Sequence, residues 1–151
     1  MSDAGVVRLL VFRVGGLLCA AEAERVREIL PRLATTRIPG APPAVAGLVN
    51  VRGTLVTVVE GWRALRQPEP PASNGTQGGT TVLLEVGAGR KVLGFTVDEV
   101  VDLLAADAAA LERRAALPGV DPTLVRAVGR RAGQLFVVLD TDALLTPILS
   151  S

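Results

Sequence analysis

The stretch Gly47-Leu48-Val49-Asn50-Val51-Arg52-Gly53, followed by the apolar run Leu55 to Val59, decides how this chain is read. Asn50 and Arg52 are two apart, so in a strand they share one face, and Arg52-Gly53 then turns the chain. The stretch predicts two β-type runs, Ala44 to Val51 and Leu55 to Val59, joined by a tight turn. A polar pair held beside that turn is not what core packing alone asks for, and it marks a candidate site.

Upstream, Val6 to Val14 reads as a strand, Gly15-Gly16 as a hairpin turn and Leu17 to Ala21 as the return strand. Ala23 to Leu30 reads as a short helix with Val26, Ile29 and Leu30 on one side, ended by Pro31. Arg37 to Pro43 is too rich in Pro and Gly for regular structure. Downstream, Gln67 to Thr80 reads as an exposed loop and a boundary between two lobes. Thr81 to Val86 and Lys91 to Val97 form a hairpin around Gly87-Ala88-Gly89. Asp98 to Ala116 is Ala-rich with Asp98 as a cap, which predicts a helix. Leu124 to Val128 and Leu135 to Leu139 read as strands, and Asp140 caps a short helix through Leu145. Many short strands with Gly turns suggest barrels or a sandwich, and no sequence repeat of fixed period is visible.

Composition narrows the function. The chain has 151 residues, 49% of them hydrophobic and 3% aromatic, with no Tyr. That allows one domain, or two packed lobes, with an aliphatic core and a poor base-stacking surface. A net charge of +1 provides no global field toward nucleic acid or membrane. The single Cys19 excludes an internal disulfide and sits in an apolar run as a small hydrophobe. The first thirty residues lack the pattern of a signal peptide, and no segment approaches the roughly 18 apolar residues of a membrane helix. A cytoplasmic location follows as the default.

Catalytic chemistry is poorly supplied. With no His, His-assisted nucleophilic catalysis and the common zinc sites fall away. Lys91 is the sole Lys, preceded by Arg90 and followed by Val92, so a phosphate loop fails. The carboxylate pairs Asp98/Glu99, Asp140/Asp142 and Glu22/Glu24 lie at element ends, where capping explains them. Arg113-Arg114 and Arg130-Arg131 read as solvated faces. No catalytic residue, metal ligand or cofactor site is expected.

Five motifs in order resemble the CheW family of chemotaxis coupling proteins. They are Val26-Arg27-Glu28-Ile29, Pro39-Gly40-Ala41-Pro42, Gly47 to Gly53, Gly94-Phe95-Thr96-Val97-Asp98-Glu99-Val100, and Gly129 with Leu135 to Asp140 and Leu144-Leu145. The similarity runs from about Val7 to Leu145. It implies a mainly β fold, two intertwined five-stranded SH3-like β-barrels with a few short helices, in one domain spanning the chain. It also implies that Val100 to Leu104 is a strand, against the helix reading, with a helical turn left possible in Ala105 to Ala116.

The resemblance implies a non-enzymatic, stand-alone adaptor that couples the cytoplasmic tip of a chemoreceptor to the regulatory domain of a CheA-type histidine kinase, within receptor arrays. Neither nucleic acid nor membrane insertion is implied. Val26, Ile29 and Val100 would line the apolar part of a receptor-binding groove to which Glu28, Gly47, Asn50 and Arg52 also belong. Glu28 and Arg52 would meet as an ion pair, and Gly47 would allow close backbone approach. The chain departs from the family where Pro-x-x-Asp-Leu usually follows the Arg-Gly turn. Thr57, Glu60 and Gly61 stand there instead, and Gly61 should weaken the next helix by roughly 1 kcal/mol relative to Ala. Trp62 would anchor that helix. An accessory adaptor with weakened kinase binding is the alternative.

Overall fold

A computed structural model describes residues 5–69, 79–112 and 119–149. The strands are β1 (Val6–Val14), β2 (Leu17–Glu22), β3 (Val26–Pro31), β4 (Val45–Val51), β5 (Thr54–Glu60), β6 (Thr80–Val86), β7 (Lys91–Val97), β8 (Glu99–Asp107), β9 (Val125–Arg131) and β10 (Gln134–Leu139). The helices are α1 (Gly61–Ala64) and α2 (Thr141–Leu149). Two five-stranded sheets result, in the orders β8-β1-β2-β10-β9 and β3-β6-β7-β5-β4. The chain begins in the first sheet, builds the whole second sheet, and returns to finish the first.

The two sheets repeat one plan. Each has a central hairpin (β1–β2 or β6–β7) joined in parallel to a second hairpin (β9–β10 or β4–β5), with β8 or β3 on the far edge. Registers agree residue by residue. Val26 faces Leu84 and Glu28 faces Leu83 across a bulge at Arg27. Val100 faces Phe12 and Asp102 faces Val11 across a bulge at Val101. The bridges Thr36 to Leu48 and Glu112 to Val128 also correspond.

Period-two alternation sends opposite faces of β1 into two apolar clusters. Leu10, Phe12 and Val14 join Cys19, Val137 and Leu139 against Val82, Leu84, Leu93 and Phe95 of the second sheet, with Leu144 and Leu145 of α2. Leu9 and Val11 pack with Leu18, Ala20, Phe136 and Val138 inside the curl of the first sheet. Phe12 and Phe95 meet across the shared layer, ring centroids 6.1 Å apart and near edge-to-face. Such a contact contributes about 0.5–1.5 kcal/mol beyond its buried area. Cys19 is fully buried in this layer, and burial pushes its thiol up to about 12.

Three sequence expectations change. Residues 23–30 are not a helix: one tight helical turn over Ala23–Arg25 leads into β3, which supplies hydrogen-bond partners to the edge of β6. Residues 98–112 do not form the predicted helix either, and 113–116 lie outside the described residues. β8 runs from Glu99 to Asp107 along β1, past the Leu104 limit that the family resemblance suggested. Asp107 then caps a single helical turn, Ala108–Ala110, by accepting from Ala109 N–H at 3.0 Å. Asp98 caps no helix; its carboxylate accepts from Gly15 N–H at 3.0 Å and holds the β1–β2 turn. Of the predicted loop 67–80, residues 70–78 lie outside the described residues, and Thr80 already belongs to β6. At the C-terminal side, Asp140 accepts from Ala143 N–H at 3.0 Å, and α2 continues beyond Leu145 to Leu149.

Gly61 proves to be a packing requirement rather than a weak helix residue. It is buried, and its N–H donates to Thr96 Oγ1 at 3.1 Å. A Cβ there would overlap the Thr96 carbonyl and lie 3.1 Å from the Phe95 ring. Trp62 packs partly buried on the shared layer beside it.

Two outcomes follow for stability. Gly61→Ala should destabilise the protein by about 1–3 kcal/mol through overpacking, reversing the sign given by helix propensity; a denaturant midpoint at or above wild type would refute this. Phe95→Ala should cost about 3–5 kcal/mol. Trp62 fluorescence and far-ultraviolet circular dichroism should still report one transition, because both sheets close on the same layer. Two separated transitions would show that the sheets fold independently.

Candidate functional site

The turn between β4 and β5 consists of Arg52 and Gly53, at φ +50° and +87°. Two left-handed residues in a two-residue hairpin loop match the twist of the flanking strands. Asn50 shapes this turn: its Oδ1 accepts from Gly53 N–H at 2.7 Å. Asn50 and Arg52 therefore do not share a strand face, since Arg52 is a turn residue and Asn50 secures the turn. A left-handed arginine is uncommon. Here it aims the guanidinium across the sheet opening at β3.

Arg52 Nη1 donates to Glu28 Oε1 at 2.8 Å, and Nη2 donates to Glu28 Oε2. The fork-to-fork geometry suits Arg and would not suit Lys. Glu28 is the less exposed partner, with 29% of its side chain accessible against 69% for Arg52. The hydrogen bonds from Arg52 hold the Glu28 carboxyl below the usual glutamate range, opposed by partial desolvation and helped by the guanidinium charge.

β3 and β4 are the two edges of their sheet and share no backbone ladder. The Glu28–Arg52 pair is thus a side-chain staple across the open seam. The first sheet has the counterpart. Asp102 of β8 accepts from Arg131 Nε of β9 at 2.9 Å, again linking the two edge strands. Asp102 occupies the register position of Glu28, and Arg131 lies one residue before the position matching Arg52. That hydrogen bond likewise holds the Asp102 carboxyl below its ordinary value.

The apolar candidates separate into two kinds. Val26 and Val100 are partly buried and pack on the shared layer from the edge strands of the two sheets. Ile29 lies in register with Val82, on the same face as Val26, yet remains 45% exposed. Leu103 lies in register with Leu10, on the same face as Val100, and is 65% exposed. Leu103, Asp102 and Arg131 escaped the sequence reading. The repeated spacing Val26-x-x-Ile29 and Val100-x-x-Leu103 was the available signal. Leu55 and Leu135, at matching positions near the tips of the second hairpins, are also exposed.

Gly47 is buried. Thr36 and Leu48 exchange backbone hydrogen bonds of 2.8 Å beside it, and a Cβ on Gly47 would overlap the Thr36 carbonyl group. Its bareness serves this close backbone approach. Carboxylates of the other acidic pairs hold turns and strands together. Asp142 accepts from Gly87 N–H at 2.9 Å and from Arg25 Nη2 at 3.3 Å, and Glu22 accepts from Arg126 Nη1 at 2.9 Å. Arg113-Arg114 lie outside the described residues. Among the described residues no cluster of acidic or sulfur side chains could hold a metal ion, and no helix is long and apolar enough to cross a membrane.

The seam pair has a defined pH signature. Its depressed carboxyl means that the unfolded chain binds more protons near pH 4, so the pair stabilises the fold above the free glutamate value. That contribution is lost as pH falls through the lower folded value. Glu28→Gln should lower the denaturant midpoint at pH 7, with the difference from wild type shrinking at roughly pH 3. An equal difference at both pH values would show that the ionised pair does not act as described.

The geometry can be set beside known proteins. Residues 8–148 match the CheW-like domain model. The chain is 25% identical over 142 residues to the chemotaxis protein CheW of Bacillus subtilis strain 168, covering 91% of this chain and 86% of that one. It is 29% identical over 97 residues to a probable chemotaxis protein CheW of Rhizobium etli, covering 64% of this chain and 59% of that one. The crystal structure of the scaffolding protein TtCheW from Thermoanaerobacter tengcongensis superposes with a TM-score of 0.81 at 19% identity, covering 92% of both chains. The match of folds places the two five-stranded sheets in the architecture that the sequence motifs suggested. The chain belongs to the CheW-like domain family, a family of chemotaxis coupling adaptors and scaffolds rather than enzymes.

Proposed function

We propose that this adaptor acts in the cytoplasm within chemoreceptor arrays, and that the helical tip of a chemoreceptor docks between the edge strands β3 and β8. The observation that carries this reading is the matched pair Ile29 and Leu103. Each is exposed, each lies on the face turned toward the shared apolar layer, and each is flanked by a partly buried valine. An amphipathic helix recognises such a surface by laying apolar positions into it. Glu28 and Arg52 act beside the groove by fixing the edge of β3, and Asn50 and Gly47 act by shaping β4 and its turn.

The second partner in this reading is the regulatory domain of a CheA-type histidine kinase, received at the barrel ends. Leu55 and Leu135 support it, being exposed apolar side chains at equivalent hairpin tips. The accessory alternative gains no support from the comparisons. Thr57 lies within the β5 ladders to Leu48 and Leu93, and Glu60 pairs with Arg63, so the departures at 57–61 are absorbed by the local fold.

Ile29→Asp and Leu103→Asp should each reduce capture by an immobilised receptor tip at least about tenfold, with the melting temperature nearly unchanged at these exposed sites. Val26→Glu should abolish capture but also lower stability, because Val26 packs on the core layer. Full capture by the Ile29 and Leu103 variants would remove the groove reading. Titration with the isolated kinase regulatory domain tests the other contact. Micromolar binding weakened by Leu55→Asp or Leu135→Asp supports it, and no binding at high concentration refutes it.

A further inference from the structure

A cleft of about 510 Å³ lies at the other end of β4 from Arg52, under the proline-rich segment that joins β3 to β4. Its charge is unbalanced. Arg32, Arg37 and Arg63 line it with one carboxylate, Glu60. Arg63 Nε pairs with Glu60 at 3.0 Å, and its guanidinium stacks on Trp62 at 4.5 Å, so Glu60 is neutralised and Arg63 is held in place. Arg32 and Arg37 are exposed, and among the described residues neither reaches a carboxylate. Most other described arginines do, from Arg13 with Glu99 to Arg131 with Asp102. Two guanidinium groups without a carboxylate partner thus share one cleft.

The other walls indicate what kind of anion fits. Most of the cleft surface is polar, and Ile38, Pro42 and Val45 add only a small apolar part between the arginines. Pro39, Pro42 and Pro43 carry no N–H, so this wall offers few backbone donors. A free phosphate is held best by converging donors in an enclosed cradle. A peptide chain carries its own N–H donors, and its carboxylates match the arginine fork. The prolines also stiffen the wall, which lowers the ordering cost of binding.

We propose that this cleft binds an acidic peptide segment of a protein partner, with Arg32 and Arg37 pairing its carboxylates. The site is distinct from the groove between β3 and β8, and it does not depend on the receptor reading. Binding is weak and salt-sensitive, as exposed charge pairing requires.

The test is fluorescence anisotropy with the full chain and a labelled synthetic octapeptide of alternating Glu and Leu. Saturable binding is expected, at least about tenfold weaker for the peptide with Gln in place of Glu and for Arg32→Glu/Arg37→Glu, and weaker as salt rises. Arg32→Gln/Arg37→Gln should show an intermediate loss and guards against a folding defect in the charge-reversed variant. Equal binding of the two peptides, unchanged binding by both variants, or no saturation would each overturn the proposal. Displacement of the peptide by inorganic pyrophosphate at equal concentration would overturn it in favour of a small-anion site.

Discussion

Phe12 of β1 and Phe95 of β7 meet edge to face, and the apolar layer around them is the constraint on which the molecule rests. Neither sheet can bury that face without the other. The layer collects side chains from strands at both ends of the chain and from its middle, so the order of strands in sequence is subordinate to closing it. It also explains the closeness of α1. Gly61 is bare because the Phe95 ring and the Thr96 carbonyl occupy the space where a side chain would go.

A layer closed in this way leaves the outer strands of each sheet unpaired. β3 and β4 do not complete a ladder, nor do β8 and β9. Open edges are a hazard for any β protein. Here each opening is crossed by an acid–arginine pair instead of backbone bonds. Side chains span a gap that strands cannot, and they leave the edge strands' apolar residues, Ile29 and Leu103, available to a visitor. The adaptor surface is in this sense a by-product of how the sheets stop.

The central hairpins were legible in the sequence. β1, β2, β6 and β7 carry long apolar runs and glycine turns, and those signals are local. The edge strands β3 and β8 were not: β3 read as a helix from the spacing of its apolar residues, and β8 from an Ala-rich stretch with Asp98 as a cap. A bulge at Arg27 and at Val101 inserts a residue and shifts the period-two pattern. Apolar residues then fall at Val26, Ile29, Leu30 and at Val100, Leu103, Leu104, the spacing of a helix face. The family motifs recovered β8 but not β3. The Glu28–Arg52 contact was inferable from opposite charges in two motifs, whereas Asp102–Arg131 lies in no motif. The internal repetition stayed hidden because it survives in register and side-chain role, and because the second copy is split, with its central hairpin placed first in the chain.

That split has a consequence during synthesis. The β1–β2 hairpin emerges first, but its neighbours β8 and β10 are made only after the entire second sheet. At about 5–20 residues per second, a nascent chain waits several seconds with two apolar strands lacking lateral partners. The second sheet needs nothing from the other to pair its own backbone, so it can form in that interval and offer its face of the shared layer as a surface on which the hairpin is parked. High contact order is thereby concentrated in one late event, the arrival of β8 to β10, and premature release or pairing between two nascent chains at β1 becomes the characteristic way for folding to go astray.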